Sequence, residues 1–583
     1  MNKKLRWLLI SVIFVFSIAI VSAIVIADTD IKTFATNAFE KLIRNNVKEG
    51  DQIRVPSNKP TMNGYAFLGW QLEGDTTGKL YQPNELITIS SNLSYNDSNI
   101  DFTAVWERKE PILAYAYLWH LTGVIQTYKQ QITEICLVDS YSPTGNELSQ
   151  DISAYGDGSV MGYLVLQDDG NYTLYMSGNG SGYIKANSFC AFSNSYNRND
   201  SFSNLQVITG LDLLDTSDVT RMEGMFAYCS NLTYIEGLSD WDTSNVTDMS
   251  NMFNGCRNLE NIDVSGWDTS EVTTMSQMFY SCEKLADIDL SGWNTSNVTN
   301  MVYMFYFCKN LTYTDIDVLS NWDTGNVTNM GSMFWACIGL NSIDCLSEWD
   351  TSKVTNMSWM FAGCNKLTNI DGLLGWNTSK VTSMSYMFNG CSGLSSIEGL
   401  SNWSTGNVTY MEGMFWGCSG LTTIDCLSNW NTSNVINMRT MFNDCSNLTS
   451  IDLSGWDTGN VTNMSSMFSD CSSLTSIYGL ANWTTSNVTD MSSMFYGCEN
   501  LESIGDVSGW NTYKVIDMRR MFHSCKKLTE IDLSGWDIDN VTNIDSMFWN
   551  CSNLQTVYVK DETAKIKIES STDLSSRAQV VIK

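Results

Sequence analysis

Proline, histidine and basic charge are all scarce in this sequence, and each scarcity excludes something. The 583 residues include five prolines (Pro56, Pro60, Pro83, Pro111 and Pro143), and none follows Pro143. So long a proline-free stretch is expected where nearly every backbone N–H enters a hydrogen-bond ladder. Only two histidines occur, His120 and His523, and no Cys-x-x-Cys pair, so no metal site is expected. Lysine and arginine total 33 against 63 acidic residues, a net charge of −30. That balance repels phosphate backbones and anionic surfaces, and nucleic acid is not expected as a partner. A hydrophobic fraction of 43% still suits a folded chain.

One apolar run stands at the N-terminus, where Lys3, Lys4 and Arg6 precede an uncharged stretch from Trp7 to Ala27. Residues 1–27 therefore read as an export signal, with small residues at Ala23 or Ala27 as cleavage points. The run is also long enough to span a bilayer uncut, which leaves a membrane anchor open. Export to the bacterial cell surface or medium is the expectation. No cysteine follows the run and no Leu-Pro-x-Thr-Gly signal stands near the C-terminus.

What the chain has in abundance is repetition. WDTSNVTDMSNMFNGC at 241–256 recurs nearly to the end, and alignment on Met-Phe gives thirteen units from Met225 to Met547. Spacings are 26 or 27 residues, with one of 29 between Met304 and Met333. Cysteine follows each methionine by four residues, from Cys229 to Cys551, and leucine follows three later, from Leu232 to Leu554. Isoleucine comes three beyond that, except at Thr314 and Val557; valine stands six before each Met-Phe, and methionine three before it, except Ile544. Such units stack and bury like upon like, since one alone cannot cover its apolar face. LxxIDLS alternates as a short strand, NVTxM is a second candidate strand, and MSxMFxxC spaces its apolar residues for one helical turn. Length changes fall between the strand and the tryptophan, as in IDLSGW (451–456) against IEGLSNW (397–403), which spares the core register.

Trp241 and its counterparts hold one position through Trp536, with Leu214 in the first unit. The next residue is Asp, Asn, Ser404 or Thr484, types that share an oxygen acceptor but no charge. A capped turn needs only the acceptor, whereas a calcium ladder needs fixed carboxylates, so turn capping is expected. The whole pattern, MFxxCxxLxxIDLSxWDTSNVTxM over roughly 205–555, resembles the BspA-type leucine-rich-repeat surface proteins of bacteria. It is most similar to their Asp-Thr-Ser-turn subgroup, a domain of unknown function. The resemblance implies a leucine-rich-repeat-like solenoid, surface display and binding of host or matrix proteins, with no enzymatic residues and no cofactor.

Near the N-terminus, Pro60-Thr61, Gly64-Tyr65-x-Phe67-x-Gly69-Trp70, Tyr81-x-Pro83 and Ala104-Val105-Trp106 resemble the Listeria–Bacteroides (internalin B-type) repeat. The expected fold is thus a repeat solenoid, leucine-rich-repeat-like, of short parallel β-strands and helical turns, in about 13 coils, preceded by a small β-grasp-like module. Its divisions are a linker at 28–49, the module at 50–107, an N-terminal cap at 108–205, repeats at 206–555 and a C-terminal cap at 556–583. Strand-like ITEICLVD, GYLVLQ and YTLYMSG suit the first cap; TVYVK and IKIE suit the second.

The 17 cysteines of an exported chain raise the question of disulfides. Thirteen share one apolar position, which favours a column of packed thiols over bridges between neighbouring coils. Cys345 and Cys426 precede tryptophans, and Cys136 and Cys190 lie in the cap. Ser-His-Asp or paired-carboxylate sets cannot be told from residues the repeat itself places, so no enzyme is expected. Asn-Val-Thr triplets match glycosylation sequons but belong to the repeat pattern.

One set of positions varies. Two residues after the motif methionine stand Tyr280, Tyr306, Trp335, Trp416, Tyr496, His523 and Trp549; one residue before it stand Tyr303, Trp359 and Tyr386. Variable aromatic positions on a regular scaffold suit a binding surface for protein or glycan ligands on host or neighbouring cells. Against this stands mutual coverage of the rings. An adhesin is the first expectation, a structural or self-associating envelope spacer the second, and a flat Thr/Asn ladder that binds a crystalline surface such as ice the third.

Overall fold

The computed structural model describes residues 41–44 and 48–583, apart from 58, 61, 63–64, 73–74, 76, 91–99, 114–115, 118–122, 187–189, 192–200 and 571–573. The segment Trp7–Ala27, with its expected cleavage or anchoring, lies outside the described residues, as does His120. Among those described, no helix is long and apolar enough to cross a membrane. They form two compact units: residues up to Ile112 with Ser153–Met161, and Leu113–Ile152 with Gly162–Lys583.

In the first unit all described regular elements are strands: β1 (Lys41–Arg44), β2 (Gln52–Arg54), β3 (Tyr65–Leu72), β4 (Leu80–Tyr81), β5 (Leu86–Thr88) and β6 (Ile100–Arg108). One sheet has the order β1-β6-β3-β4, and β2 pairs with β5. Alternation on β3 sends Trp70 and Leu72 into a core with Ile53, Val55, Tyr81, Ile87, Ile89, Phe102 and Ala104. Phe67 packs edge-on against Trp70 and Trp106, with centroids 5.4 and 5.6 Å away. Gly69 stands at a bulge between β3 and β6, where a Cβ would sit 3.1 Å from Tyr81 O.

Two boundaries expected from the sequence are corrected here. Lys41–Arg44, read as linker, forms the edge strand β1, running antiparallel to β6 from Lys41↔Thr103 to Arg44↔Ile100 and covering that strand's open hydrogen-bonding edge. Residues 153–161, read as cap, belong to the first unit. Ala154 N–H donates to Ile112 O at 2.8 Å, and Lys109 Nζ lies 3.1 Å from Asp157 Oδ2.

The second unit opens with a six-stranded sheet in the order Tyr234–Ile235, Val207–Thr209, Ile132–Val138, Tyr172–Ser177, Met161–Leu166, Leu148–Asp151. Its strand Ile132–Val138 is parallel to Val207–Thr209, which is parallel to Tyr234–Ile235 of the first repeat. Leu205 and Ile208 are fully buried and reproduce the Leu-x-x-Ile of the repeats one step early. The cap therefore meets the array by imitating its strand, which pairs the backbone of the first repeat and covers its core.

Each repeat then bonds to the next in parallel. Single bridges connect Arg221, Asp248, Thr274, Asn300, Asn329, Asn356, Ser383, Tyr410, Asn437, Asn463, Asp490, Asp517 and Asn543 in turn. This ladder stands where NVTxM was expected as a strand. The Leu-x-x-Ile stretches also pair in parallel, as Asn261–Ile262 with Asp287–Ile288 and Ser450–Asp452 with Ser476–Tyr478. In several units with the longer loop a 3-10 turn follows the isoleucine, such as Asp371–Leu373 or Glu398–Leu400. The unit lengthened to 29 residues inserts a helical turn, Tyr313–Ile316, capped by Thr312 and Asp315. Ile316 of that turn is buried, so the insertion replaces the isoleucine missing at Thr314.

MSxMFxxC is not a helical turn. In the Met387 unit, the N–H groups of Met384, Tyr386, Phe388 and Gly390 donate to Tyr410, Glu412, Met414 and Trp416 of the next unit, at 2.6–3.0 Å. Those of Met387, Asn389 and Cys391 donate three residues back, to Met384, Tyr386 and Phe388. A helix would direct every N–H along its own chain and leave none for the neighbour. The alternation needs two left-handed residues per unit, here Tyr386 (φ 57°) and Gly390 (φ 72°), at the third positions of successive tight turns. The sequence carries that signal: the second position is Gly255, Gly363, Gly390, Gly417, Gly497, Asp444, Asp470 or Asn550 in eight units.

At the C-terminal end, Glu530–Leu533, Thr556–Val559 and Gln579–Ile582 form a parallel sheet in that order. The expected strand IKIE instead lies in a helix, Glu562–Ser570. Two adjacent parallel strands require a crossover, and the helix supplies it, with Ala564 and Ile568 buried four residues apart and Ile566 exposed.

Candidate functional site

The repeated letters are consumed by contacts between units. Trp349, Trp376 and Trp403 stack at 6.2 and 6.4 Å with planes 5° and 3° apart. Trp376 Nε1–H donates to Leu346 O at 2.9 Å. Counterparts do the same except Trp322 and Trp483, whose buried N–H groups have no partner. Both belong to a long-loop unit that follows a short-loop one, IDLSGW at 288–293 or at 451–456. The step from the shorter to the longer loop, three residues at Trp322 and one at Trp483, withdraws the acceptor.

The capped turn is present. Ser379 N–H donates to Asn377 Oδ1 at 3.1 Å, and Ser352 N–H to Asp350 Oδ1 at 2.9 Å, with Asp and Asn serving alike. Buried Thr378 donates Oγ1–H to Ser404 O of the next unit, and Thr382 donates both its N–H and its Oγ1–H to Thr355 O. Asn residues of the Asn-Val-Thr triplets are occupied too, as Asn407 Nδ2 donates to Ser379 O at 2.6 Å.

The cysteine column has a specific reason. Phe361 O accepts the N–H of Cys364 and also the thiol of Cys391 from the next unit, both at 3.1 Å. Both lone pairs of a buried carbonyl are thereby satisfied. The same pairing runs from Cys256 with Phe226 to Cys551 with Phe522. Every cysteine of the column, Cys229 to Cys551, is a free thiol, as the packed-column reading expects. Burial pushes the thiols of Cys229 and Cys391 up to about 12, so they are held as neutral, unreactive groups.

What remains for function is the outer column at the variable aromatic positions. Its residues form two runs. Tyr280 stacks on Tyr306 at 4.3 Å, with Tyr303 edge-on at 5.7 Å; Tyr306 meets Trp335 edge-on at 5.0 Å. Trp335, Trp359 and Tyr386 stack at 4.4 and 4.1 Å, and Trp416 stands tilted at 6.3 Å from Tyr386. In the second run His523 lies between Tyr496 at 4.6 Å and Trp549 at 4.5 Å. The two sequence positions do share a face, through alternating turns rather than through a helix. Tyr303, Trp359 and Tyr386 occupy left-handed backbone (φ 57–61°), which bulky residues rarely adopt.

Exposure divides the set. Tyr280, Tyr303, Tyr306, Trp335, Trp359, Tyr386 and Tyr496 are half-buried, and their faces are largely taken by one another. Trp416 and Trp549, at the ends of the runs, are 40% and 48% exposed. The sequence reading did not single out Asp444 and Asp470, which stand in the interruption between the runs where Asn443 and Ser469 replace rings. The break in the aromatic pattern was the available signal.

These columns define a leucine-rich-repeat-like repeat protein. The family described as "Mycoplasma protein of unknown function, DUF285" matches at residues 191–317, 307–396, 392–479 and 475–579, well over half of the chain, and the chain belongs to it. The Listeria–Bacteroides repeat domain matches at 33–94, a span that includes β1. The chain is thus of the BspA type, with the Asp-Thr-Ser-turn repeat. No curated protein sequence matches. Among solved structures, a leucine-rich cell surface protein of Faecalibacterium prausnitzii is similar at 16% identity and a TM-score of 0.22, over 76% of this chain and 96% of its own. The Toll–Spätzle complex of Drosophila is similar at 12% identity and a TM-score of 0.19, over 65% of this chain and 47% of that one.

Proposed function

We propose that this protein is a non-catalytic, exported surface protein. In this reading a solenoid of about 13 coils of 26–27 residues presents an outer aromatic column to protein or glycan partners on host or neighbouring cells. One observation carries the reading: the repeated letters of each unit are spent on contacts between units, while the outer column sets rings that differ from unit to unit against one another in stacked runs that end in the exposed Trp416 and Trp549. Exposed rings that end a stacked run make efficient contact sites, because the run holds them rigid before a partner arrives. The test is capture of matrix proteins or attachment to epithelial cells by the exported chain, compared with Trp416→Ala and Trp549→Ala variants. Weakened attachment with an unchanged circular-dichroism melt supports the reading; full attachment by the double variant overturns it.

A second reading, an envelope spacer without specific ligand, draws on the ring faces consumed between Trp335, Trp359 and Tyr386. Self-association in light scattering with no other ligand retained would favour it.

A further inference from the structure

The outer aromatic column is interrupted for two units, between Trp416 and Tyr496. At the ring position these units carry Asn443 and Ser469, and at the next position Asp444 and Asp470, both exposed. Among the thirteen residues at that next position these two are the only acids, and they are flanked by Gly417 and Gly497. A Cβ at Gly497 would collide with Asp470 Oδ1, so glycine keeps the space beside the carboxylate open. The outcome is a notch with a ring at each end and two carboxylates along it. Tyr496 has His523 stacked behind it at 4.6 Å, while on its other side the preceding unit offers Ser469 and no ring. Trp416 is 40% exposed, and the unit after it offers Asn443.

Dimensions select the occupant. Three steps of about 4.8 Å separate the two rings by roughly 14 Å. In an extended peptide, residues i and i+2 lie on one face about 6.7 Å apart, so two such side chains centred in the notch would each stand about 4 Å from a ring. That is the range of a cation over an aromatic face. Each cation would also lie beside one carboxylate, on a chain whose net charge is −30. Partial burial, opposed by the Ser469 hydroxyl that donates to Asp470 Oδ2 at 2.9 Å and reinforced by the charge of Asp444, holds the Asp470 carboxyl above its usual range. His523 acts on Asp470 in the opposite sense, from behind Tyr496, and the positive charge of Arg439 acts on Tyr386.

Resting on the proposed role of the outer column, we infer that this notch binds an extended polypeptide segment carrying two basic residues at i and i+2, one against Trp416 and Asp444, the other against Tyr496 and Asp470. The segment runs along the stacking direction, and its backbone stays outside the notch.

The test uses the full chain and fluorescein-labelled Gly/Ser peptides carrying Arg-Ser-Arg, Arg-Arg or Arg-Ser-Ser-Arg, followed by anisotropy at low salt. Arg-Ser-Arg should bind at least fivefold more tightly than either isomer. Its affinity should fall tenfold or more in the D444N/D470N double variant and about threefold in Trp416→Ala, with unchanged melts. Equal affinity for the three spacings overturns the inference, as does full binding by the double variant. Should Trp416→Ala prove unfolded, Trp416→Phe takes its place, and the readout is the tryptophan quenching by unlabelled peptide that the unsubstituted chain shows and this variant lacks; equal quenching in the two counts against the inference. Loss of peptide binding in D444N/D470N alongside undiminished cell attachment would separate this site from the wider binding role. Attachment lost in Trp549→Ala with peptide binding intact would separate them the other way.

Discussion

Two aromatic columns run through the same repeats, and comparing them shows what a repeat fixes and what it leaves free. The inner column, Trp241 to Trp536, is 1–5% exposed, keeps its planes nearly parallel and anchors most indole N–H groups on the preceding unit. The outer column stacks as closely or closer, at 4.1–4.6 Å in its tightest pairs, yet its members are half-exposed, differ from unit to unit and stop for two units. A ring that also fills the core and satisfies a carbonyl admits one residue type. A ring that only covers its neighbour can be dropped or replaced wherever the surface has another use.

The comparison can be broken most decisively through the inner side. The buried thiols have raised pKa values, with Cys229, Cys391 and Cys551 pushed up to about 12. Below about pH 9 both folded and unfolded thiols are protonated and their contribution is fully present. Above it the unfolded chain ionises first, and stability is lost progressively toward the folded values. Cooperative alkaline unfolding is therefore expected between about pH 9 and 12, together with no labelling of the thirteen column thiols, Cys229 to Cys551, by a disulfide reagent at pH 8 until denaturant is added, whereas the half-buried Cys136 and Cys426 are free to react. Labelling of a column cysteine in the native chain at pH 8, located by peptide mass mapping, would contradict the packed column.

Next in size, Trp376→Ala should cost about 3–5 kcal/mol in urea unfolding, because it opens a cavity and removes one of the two hydrogen bonds to Leu346 O, which keeps only the N–H of Trp349. Trp359→Ala in the outer column should cost about 1–2 kcal/mol, the worth of its ring pairs with Trp335 and Tyr386, since alanine keeps the Cβ and the left-handed backbone stays as strained as before. If the two variants were equally damaging, the distinction between the columns would collapse.

A finer comparison lies within the inner column. Trp376→Phe removes a hydrogen bond that Trp322→Phe does not, so it should be the more destabilising by about 1–2 kcal/mol in the same measurement. Smallest of all, Trp549→Ala should change stability by no more than about 0.5 kcal/mol, since its indole is largely in water.

Much of this was legible from spacing alone. The recurrence of Val, Met-Phe, Cys and Leu in all thirteen units, and of the earlier Met in twelve, identified the core positions, and Asp and Asn exchanging after tryptophan identified a capped turn, as Asn377 and Asp350 demonstrate. Spacing misled at MSxMFxxC, because apolar residues three and four apart suit either one helical turn or two successive tight turns, and only the neighbouring unit's carbonyls decide between them. It misled again at IKIE, where four alternating residues could be strand or helix until the parallel partner Gln579–Ile582 demanded a crossover. The half-repeat at Leu205–Ile208 lacked the Met-Phe-Cys signature, and its role appears only in its pairing with Tyr234–Ile235.

By itself the sequence determined which side chains stack on their own kind, since a residue type kept through unit after unit has the same neighbour above and below. Tertiary structure decided where each backbone N–H is directed, which loop steps strip Trp322 and Trp483 of an acceptor, and which rings end a run with a face in water. Those outcomes depend on the unit next door rather than on the letters of one unit, and a contact between units has no spacing in the chain by which to announce itself.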